Sequence, residues 1–333
     1  MKTIVKIEIV ILVLVVLAAG VMTLWDAGVF GLLKEPVVME RTPEPIPQEP
    51  ETQEEVLPRE PIQEEEPTEN LAEETRELTA KSWFAFDVRQ GEYLQKQGDV
   101  YEKLYPASIT KLLTCYTLLS CMDPEDTVTV GDALELVKED SSVAGLQAGD
   151  VITVEQLVAA MMLPSGNDAA QVAAVAGGRA MGGQELSCRE AAEVFVEQMN
   201  ARVEELGMED SHFVNPDGWH DENHYTSMND LVILSQKVLT NPVMLKYTSM
   251  ASATVQLGER ELVWKNTNML LHESLKTYIP STIGMKTGYT NAAGDCLVTA
   301  FFETDRIVLI GVFGCPKLSE DRYLDTVQIY NSL

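Results

Sequence analysis

The fifteen residues from Ser108 to Met122 carry a single charge, Lys111, and that charge falls in the first turn of a predicted helix. Pro106 precedes the run, with its φ preset and no N–H to lose at a helix start. Ile109, Leu112, Leu113, Tyr116 and Leu119 recur at helical spacing, and the remaining positions are small or weakly polar. A helix apolar on most sides belongs in a core, so its lysine is carried in with it. Ser108 and Lys111 lie three residues apart and share one face of the first turn. Burial disfavours the ammonium form and lowers the lysine pKa, which suits a base that takes a proton from a neighbouring serine.

Two further triplets follow in chain order. Ser165-Gly166-Asn167 comes after a helical run, and Lys286-Thr287-Gly288 ends a short β-like segment, Ile283-Gly284-Met285. A second S-x-N triplet, Ser227-Met228-Asn229, stands before an apolar run and reads as a helix N-cap.

The chain has 333 residues and a formal net charge of −28, which excludes a nucleic-acid surface, since that needs clustered cations. Lys2 and Lys6 precede Ile9 to Trp25, 17 residues without a charge, close to the lower limit for a membrane span. The basic flank orients such a span with its N-terminus in the cytoplasm. Residues 1–34 are expected to act as an uncleaved anchor, because apolar sequence continues through Val29, Phe30, Leu32 and Leu33. The alternative is a signal peptide cut after Ala18-Ala19-Gly20. Either leads to export. Glu35 to Leu78 holds 15 glutamates against three arginines, and eight of the 15 prolines. It cannot bury a core and is expected to be an extended, disordered linker, residues 35–78.

The folded domain is expected over Thr79 to Leu333. It opens with a hairpin, Trp83 to Val88 and Glu92 to Leu94 around Gln90-Gly91. A long helical section should run from Ser108 to about Val238. Asp295 to Glu303 and Arg306 to Gly314 read as a second hairpin turning at Thr304-Asp305, and Ser319 to Leu333 as a closing helix. Strands at both ends with helices between predict an α+β fold. Its antiparallel sheet is formed from both ends of the domain, with a helical lobe inserted.

With all three motifs in order, the domain resembles the serine-type D-alanyl-D-alanine carboxypeptidases, the low-molecular-mass penicillin-binding proteins of the β-lactamase/transpeptidase-like fold. Pro164 to Ala170, Phe195 to Asn200, Glu205 to Met208, Asn215 to Gly218 and Gly284 to Thr290 resemble that family as well. Glycine is the family's usual middle residue in S-x-N, so Gly166 favours carboxypeptidases over class A β-lactamases. Many members carry a β-rich C-terminal domain. This chain stops about 20 residues past its last predicted strand, and that domain is expected to be missing.

The resemblance implies a role for each motif residue. Ser108 is the nucleophile that becomes acylated by a peptidoglycan stem peptide ending in D-Ala-D-Ala. Lys111 takes its proton, and Ser165, between Lys111 and Lys286, passes a proton to the leaving amine. Asn167 binds the substrate amide, Lys286 supplies positive charge, and Thr287 binds the terminal carboxylate. Gly288 lets the peptide lie along the strand edge, and the N–H groups of Ser108 and Tyr289 form the oxyanion hole. β-Lactams would be covalent inhibitors, and no metal or cofactor is implied.

Two other functions remain open at this point: a serine β-lactamase and a non-catalytic cell-wall peptide-binding module. A β-lactamase needs a placed glutamate after S-x-N. The local candidate, Glu197, lies on an amphipathic helix over Glu190 to Leu206 and is expected to face solvent. His212, His220 and His224 have loose metal-like spacing in a polar loop. Met161 and Met162 read as core. The five cysteines are odd in number, so at least one is free in a monomer, and Cys296 and Cys315 could bridge across the last hairpin.

Overall fold

Five strands form an antiparallel sheet in the order β2-β1-β9-β8-β7. They are β1 (Ser82–Asp87), β2 (Glu92–Gln97), β7 (Thr282–Thr290), β8 (Gly294–Phe302) and β9 (Ile307–Cys315). The first and last strands of the domain pair directly, Phe84 opposite Gly311 and Phe86 opposite Leu309, so the sheet is closed by both ends of the chain. The computed structural model describes residues 76–316 and 320–333. The expected anchor and most of the expected linker lie outside the described residues. Among the described residues no helix is long and apolar enough to cross a membrane. Contacts group Leu71–Leu333 into one unit.

The central strands are covered on both faces, and each face takes alternate residues. On β8, Cys296, Val298 and Ala300 join the core beneath the helical lobe. Leu297 and Phe301 turn to the other face, where Tyr323 and Ile329 of the last helix, α7 (Asp321–Asn331), cover them. The lobe holds α1 (Lys111–Cys121), α2 (Val154–Met162), α3 (Asn167–Gly182), α4 (Cys188–Leu206), α5 (Met228–Thr240) and α6 (Pro242–Thr248). Their starts follow local chemistry. Thr153 with Gln156 and Ser187 with Glu190 form capping boxes at α2 and α4. Ser227 caps α5 by accepting from Asp230 N–H at 3.2 Å, as its setting predicts. Helix α1 packs against α2, α3, α4 and α5, and the 3-10 turn at its head packs against β7, which places Lys111 where the lobe meets the sheet.

The structure corrects two expectations, adds a hairpin and settles the state of the cysteines. The helical section is not continuous: β3 (Thr127–Thr129) and β4 (Val151–Thr153) form a small sheet within it, and 137–150 is a loop. The head of the first helix is a 3-10 turn, Ala107–Thr110, before α1 begins at Lys111. A hairpin of β5 (Ser252–Leu257) and β6 (Arg260–Lys265) went unpredicted. Cys296 and Cys315 do not bridge, and all five cysteines are free. A bulge between β8 and β9 puts one residue of β8, Cys296, opposite two of β9, Phe313 and Gly314, so Cys315 faces α7 while Cys296 faces the lobe.

Asp325, buried on α7, fastens the start of the domain. Its carboxylate accepts from Thr79 N–H at 2.9 Å and Ala80 N–H at 2.8 Å, and pairs with the Arg76 guanidinium. Removing it strands two amide donors and takes from Arg76 one of its two carboxylate partners, the other being Asp321. Asp325→Ala should therefore lower unfolding free energy by about 3 kcal/mol, read as a fall in the urea midpoint at unchanged slope. A loss below about 0.5 kcal/mol would show that the clasp contributes nothing.

Candidate active site

Lys111 has no exposed surface, and its Nζ is surrounded by three oxygens. Ser108 Oγ lies at 2.9 Å, Asn167 Oδ1 at 2.7 Å and the Asp217 backbone carbonyl at 2.7 Å. Burial lowers its pKa to about 8, partly opposed by the negative charges of Asp217 and Asp168. Two of the three oxygens, the amide and the backbone carbonyl, can only accept. A neutral amine spends its two N–H bonds on them, which leaves its lone pair for the Ser108 hydroxyl.

The second lysine is held by different partners. Lys286 Nζ, also fully buried, donates to Ser165 Oγ at 2.9 Å and to the Thr287 carbonyl at 3.0 Å. Burial pushes its pKa well below the ordinary value, and repulsion from Lys111 and Arg322 adds to this. Ser165, expected between the two lysines, meets Lys286, and Asn167 of the same triplet meets Lys111. Lys286-Thr287-Gly288 lies in the middle of β7, not at the end of a short segment. Thr287 Oγ1 meets Thr267 Oγ1 at 2.6 Å.

The backbone is tight throughout. Ala107 and Ser165 adopt left-handed conformations, with φ of 48° and 63°, costly for residues with a side chain and tolerated where the surroundings over-determine them. A Cβ on Gly288 would lie 2.8 Å from the Pro106 carbonyl and 3.1 Å from Ser108 N, so only glycine lets β7 run against the serine turn. Gly218, at φ 84°, packs still closer, and a Cβ there would sit 1.9 Å from the Ala107 carbonyl.

Several contributors carried no motif. Asp217 offers its backbone carbonyl, and its carboxylate is held by Gln171 Nε2 and Trp219 N–H, both at 2.9 Å. Arg322 on α7 donates to the Gly288 carbonyl at 3.1 Å and pairs with Asp295 at 3.0 Å. Asp168 accepts from the N–H groups of Ala144, Gly145 and Leu146 at 2.8–3.0 Å, binding the 137–150 loop to the triplet. The three histidines diverge. His224 meets Thr110 and Val214, His212 Nδ1 meets the Asn223 carbonyl, and His220 stacks edge-on against Tyr105. Among the described residues no cluster of His, Cys, Asp or Glu could hold a metal. Glu197 is exposed on α4, as expected.

This arrangement defines a serine centre with one lysine on the Ser108 hydroxyl and a second on the Ser165 hydroxyl, on a sheet-and-helix fold. A profile of the D-alanyl-D-alanine carboxypeptidase family, peptidase family S11, matches residues 68–316, and the chain belongs to that family. It is 32% identical over 257 residues to the D-alanyl-D-alanine carboxypeptidase DacD of Escherichia coli (strain K12), covering 72% of this chain and 60% of that protein. DacF of Bacillus subtilis (strain 168) is 29% identical over 246 residues, with 72% of this chain and 59% of that protein covered. The chain thus spans about 60% of the length of these two relatives. Among solved structures, the Streptomyces K15 DD-transpeptidase superposes with a TM-score of 0.68 at 27% identity, over 76% of this chain and 96% of that one. Penicillin binding protein 6B of Escherichia coli gives 0.63 at 28% identity, over 77% of each chain.

Gly166 marks where this site departs from a Ser-Asp-Asn triplet. A Cβ there would lie 2.6 Å from Asp168 Oδ1 and 2.8 Å from Ala144 Cβ. Gly166→Asp should cost about 2 kcal/mol or more, through overpacking and a second carboxylate against Asp168. Thermal unfolding checks this. An unchanged midpoint would mean that the triplet has room for a side chain.

Proposed function

We propose that the chain is a serine D-alanyl-D-alanine carboxypeptidase that removes the terminal D-Ala from peptidoglycan stem peptides through an acyl-Ser108 intermediate. The observation that carries this reading is the 2.9 Å contact between Ser108 Oγ and a buried amine whose pKa is lowered to about 8. Lys111, as free amine, takes the Ser108 proton while Oγ attacks the carbonyl of the penultimate D-Ala. The N–H groups of Ser108 and Tyr289 receive the oxyanion, a contribution of about 10²–10³ in rate per donor. Ser165 hands a proton to the departing D-Ala amine, and water then releases the acyl group. Asn167 holds the substrate amide, Thr287 the terminal carboxylate, and Gly288 the close passage of the peptide.

In the free site burial lowers the Lys286 pKa well below the ordinary value, and repulsion from Lys111 and Arg322 lowers it further. A substrate carboxylate arriving at Thr287 adds the opposite charge and favours protonation of Lys286. By repulsion it also favours the free amine at Lys111. Substrate binding thus favours the positive charge expected of Lys286.

The purified chain should release D-Ala from a peptide ending in D-Ala-D-Ala and form one long-lived penicilloyl adduct, on Ser108. Ser108→Ala and Lys111→Ala should abolish labelling, whereas Glu197→Ala should leave D-Ala release within about threefold, since its carboxylate faces solvent. Because the base works as free amine and its pKa is lowered, acylation should rise with pH and level off above about 8. Rapid penicillin hydrolysis without D-Ala release would mean a β-lactamase. A wild-type chain that does not label would mean a binding module.

Residues 1–34 are proposed to anchor the chain in the cell membrane with the catalytic domain outside, and 35–78 to space it from the surface. The support is the uncharged stretch Ile9 to Trp25 behind Lys2 and Lys6, followed by the proline- and glutamate-rich segment. Protease added to intact cells should cut within 35–78 and release an active domain. Full-length protein protected in the cytosol would refute this placement, and a secreted chain starting near Val21 would indicate a cleaved signal peptide.

A further inference from the structure

His224 is buried, lies outside the three motifs, and has both ring nitrogens engaged. Nδ1 accepts from Val214 N–H at 3.1 Å, so in the neutral ring the proton resides on Nε2. Nε2 lies 2.7 Å from Thr110 Oγ1 and therefore donates to it. Burial holds the ring neutral, lowering its pKa to about 3. Asp221 opposes this effect, while His212, His220 and Lys111 reinforce it. This tautomer makes the ring a one-way connector from the loop backbone to the helix head.

Thr110 is the residue before Lys111. One turn later Thr114, also buried, donates its hydroxyl to the Pro216 carbonyl at 2.6 Å. Two threonines four apart thus fasten one face of the helix head to one loop, the first accepting and the second donating. Between those fastenings the same loop supplies the Asp217 carbonyl to Lys111 Nζ at 2.7 Å. It also presses Gly218 against the Ala107–Ser108 peptide, so close that a Cβ would lie 2.9 Å from Ser108 N. The loop therefore sets two quantities at once: how far the carbonyl stands from the amine, and how the serine turn is held.

We propose that Thr110 and His224 form a positioning pair for Lys111, holding the 208–226 loop at the spacing that keeps the lysine lone pair on the Ser108 hydroxyl. Neither residue touches the reacting atoms, and both act through the Asp217 carbonyl and the Gly218 contact. The pair rests on the reading of Ser108 as nucleophile and Lys111 as its base. It adds a determinant of acylation rate that rests on a variable position of the first motif, Thr110, and on His224, which lies outside all three.

The test measures the second-order acylation rate of the full chain with a fluorescent penicillin, across the pH range that brackets the Lys111 titration. Thr110→Val keeps the shape of the side chain and deletes its hydroxyl. It should slow acylation about 10- to 100-fold and displace the pH limb belonging to Lys111. Thr110→Ser restores the hydroxyl and should acylate within about threefold of wild type, with the limb back in place. Nitrogen-15 imidazole shifts of wild-type His224 should report the Nε2–H tautomer, a reading that does not depend on any variant folding. Thr110→Val at the wild-type rate with the limb unmoved would overturn the pair. So would a folded Thr110→Ser as slow as the valine variant, or an Nδ1–H tautomer in the wild type. If the wild-type chain itself fails to acylate, the reading of Ser108 has failed, and the nitrogen-15 shifts alone then judge the contact.

Discussion

A lysine amine with no solvent around it sets the terms for this domain. Moving the Lys111 pKa from 10.5 to about 8 corresponds to about 3 kcal/mol against the charged form in the folded chain. The sign follows from proton binding. The unfolded chain holds more protons between about pH 8 and the ordinary lysine value, so stability rises with pH through that window, and the cost is fully present below it. Against a typical domain stability of about 5–15 kcal/mol that is a large share. That figure is what remains after the negative charges of Asp217 and Asp168 have opposed the effect of burial.

Those oxygens come from widely separated segments, and the fold is what brings them together. Ser108 arrives on the 3-10 turn that feeds α1, Asn167 at the start of α3, and Asp217 on the loop before α5. Helix α1 packs on α2, α3, α4 and α5 at once, so its head has no freedom to drift from α3. The sheet supplies the opposite wall. β7 is an edge strand held by β8, and it brings Lys286, Thr287 and Gly288 against the same turn. The hydroxyl, two lysines and a strand edge thus meet where the lobe joins the sheet.

What could be read in advance follows the range of the interaction that decides it. Ser108 and Lys111 were legible as a pair because three residues make one helical turn. The sheet closed by both chain ends was legible from long β-rich runs at either end. The Asp217 carbonyl was not, because every residue has one and only the fold selects it. Arg322 gave no local signal, since its partners on β7 and β8 are remote in sequence. β3 and β4 are three residues each, too short for a period of two to emerge. The β5–β6 hairpin had a usable sign, alternating Val255 and Leu257 before Gly258-Glu259, with Trp264 beyond the turn. The state of Cys296 and Cys315 was open for another reason: a bulge changes which face a residue takes, and sequence spacing does not reveal one.

The Ser-Gly-Asn triplet shows why its order is geometric. Ser165, turned into the left-handed region, aims its hydroxyl at Lys286, while Asn167 begins α3 and aims its amide at Lys111. The residue between them has no space for a side chain, because Asp168 turns back to hold the amides of 144–146 directly beside it. Each lysine thus has its own partner, separated by one peptide unit. A hydroxyl, which can donate as well as accept, sits on Lys286. An amide oxygen, which can only accept, sits on Lys111. There it occupies an N–H and leaves the lone pair free for the Ser108 hydroxyl.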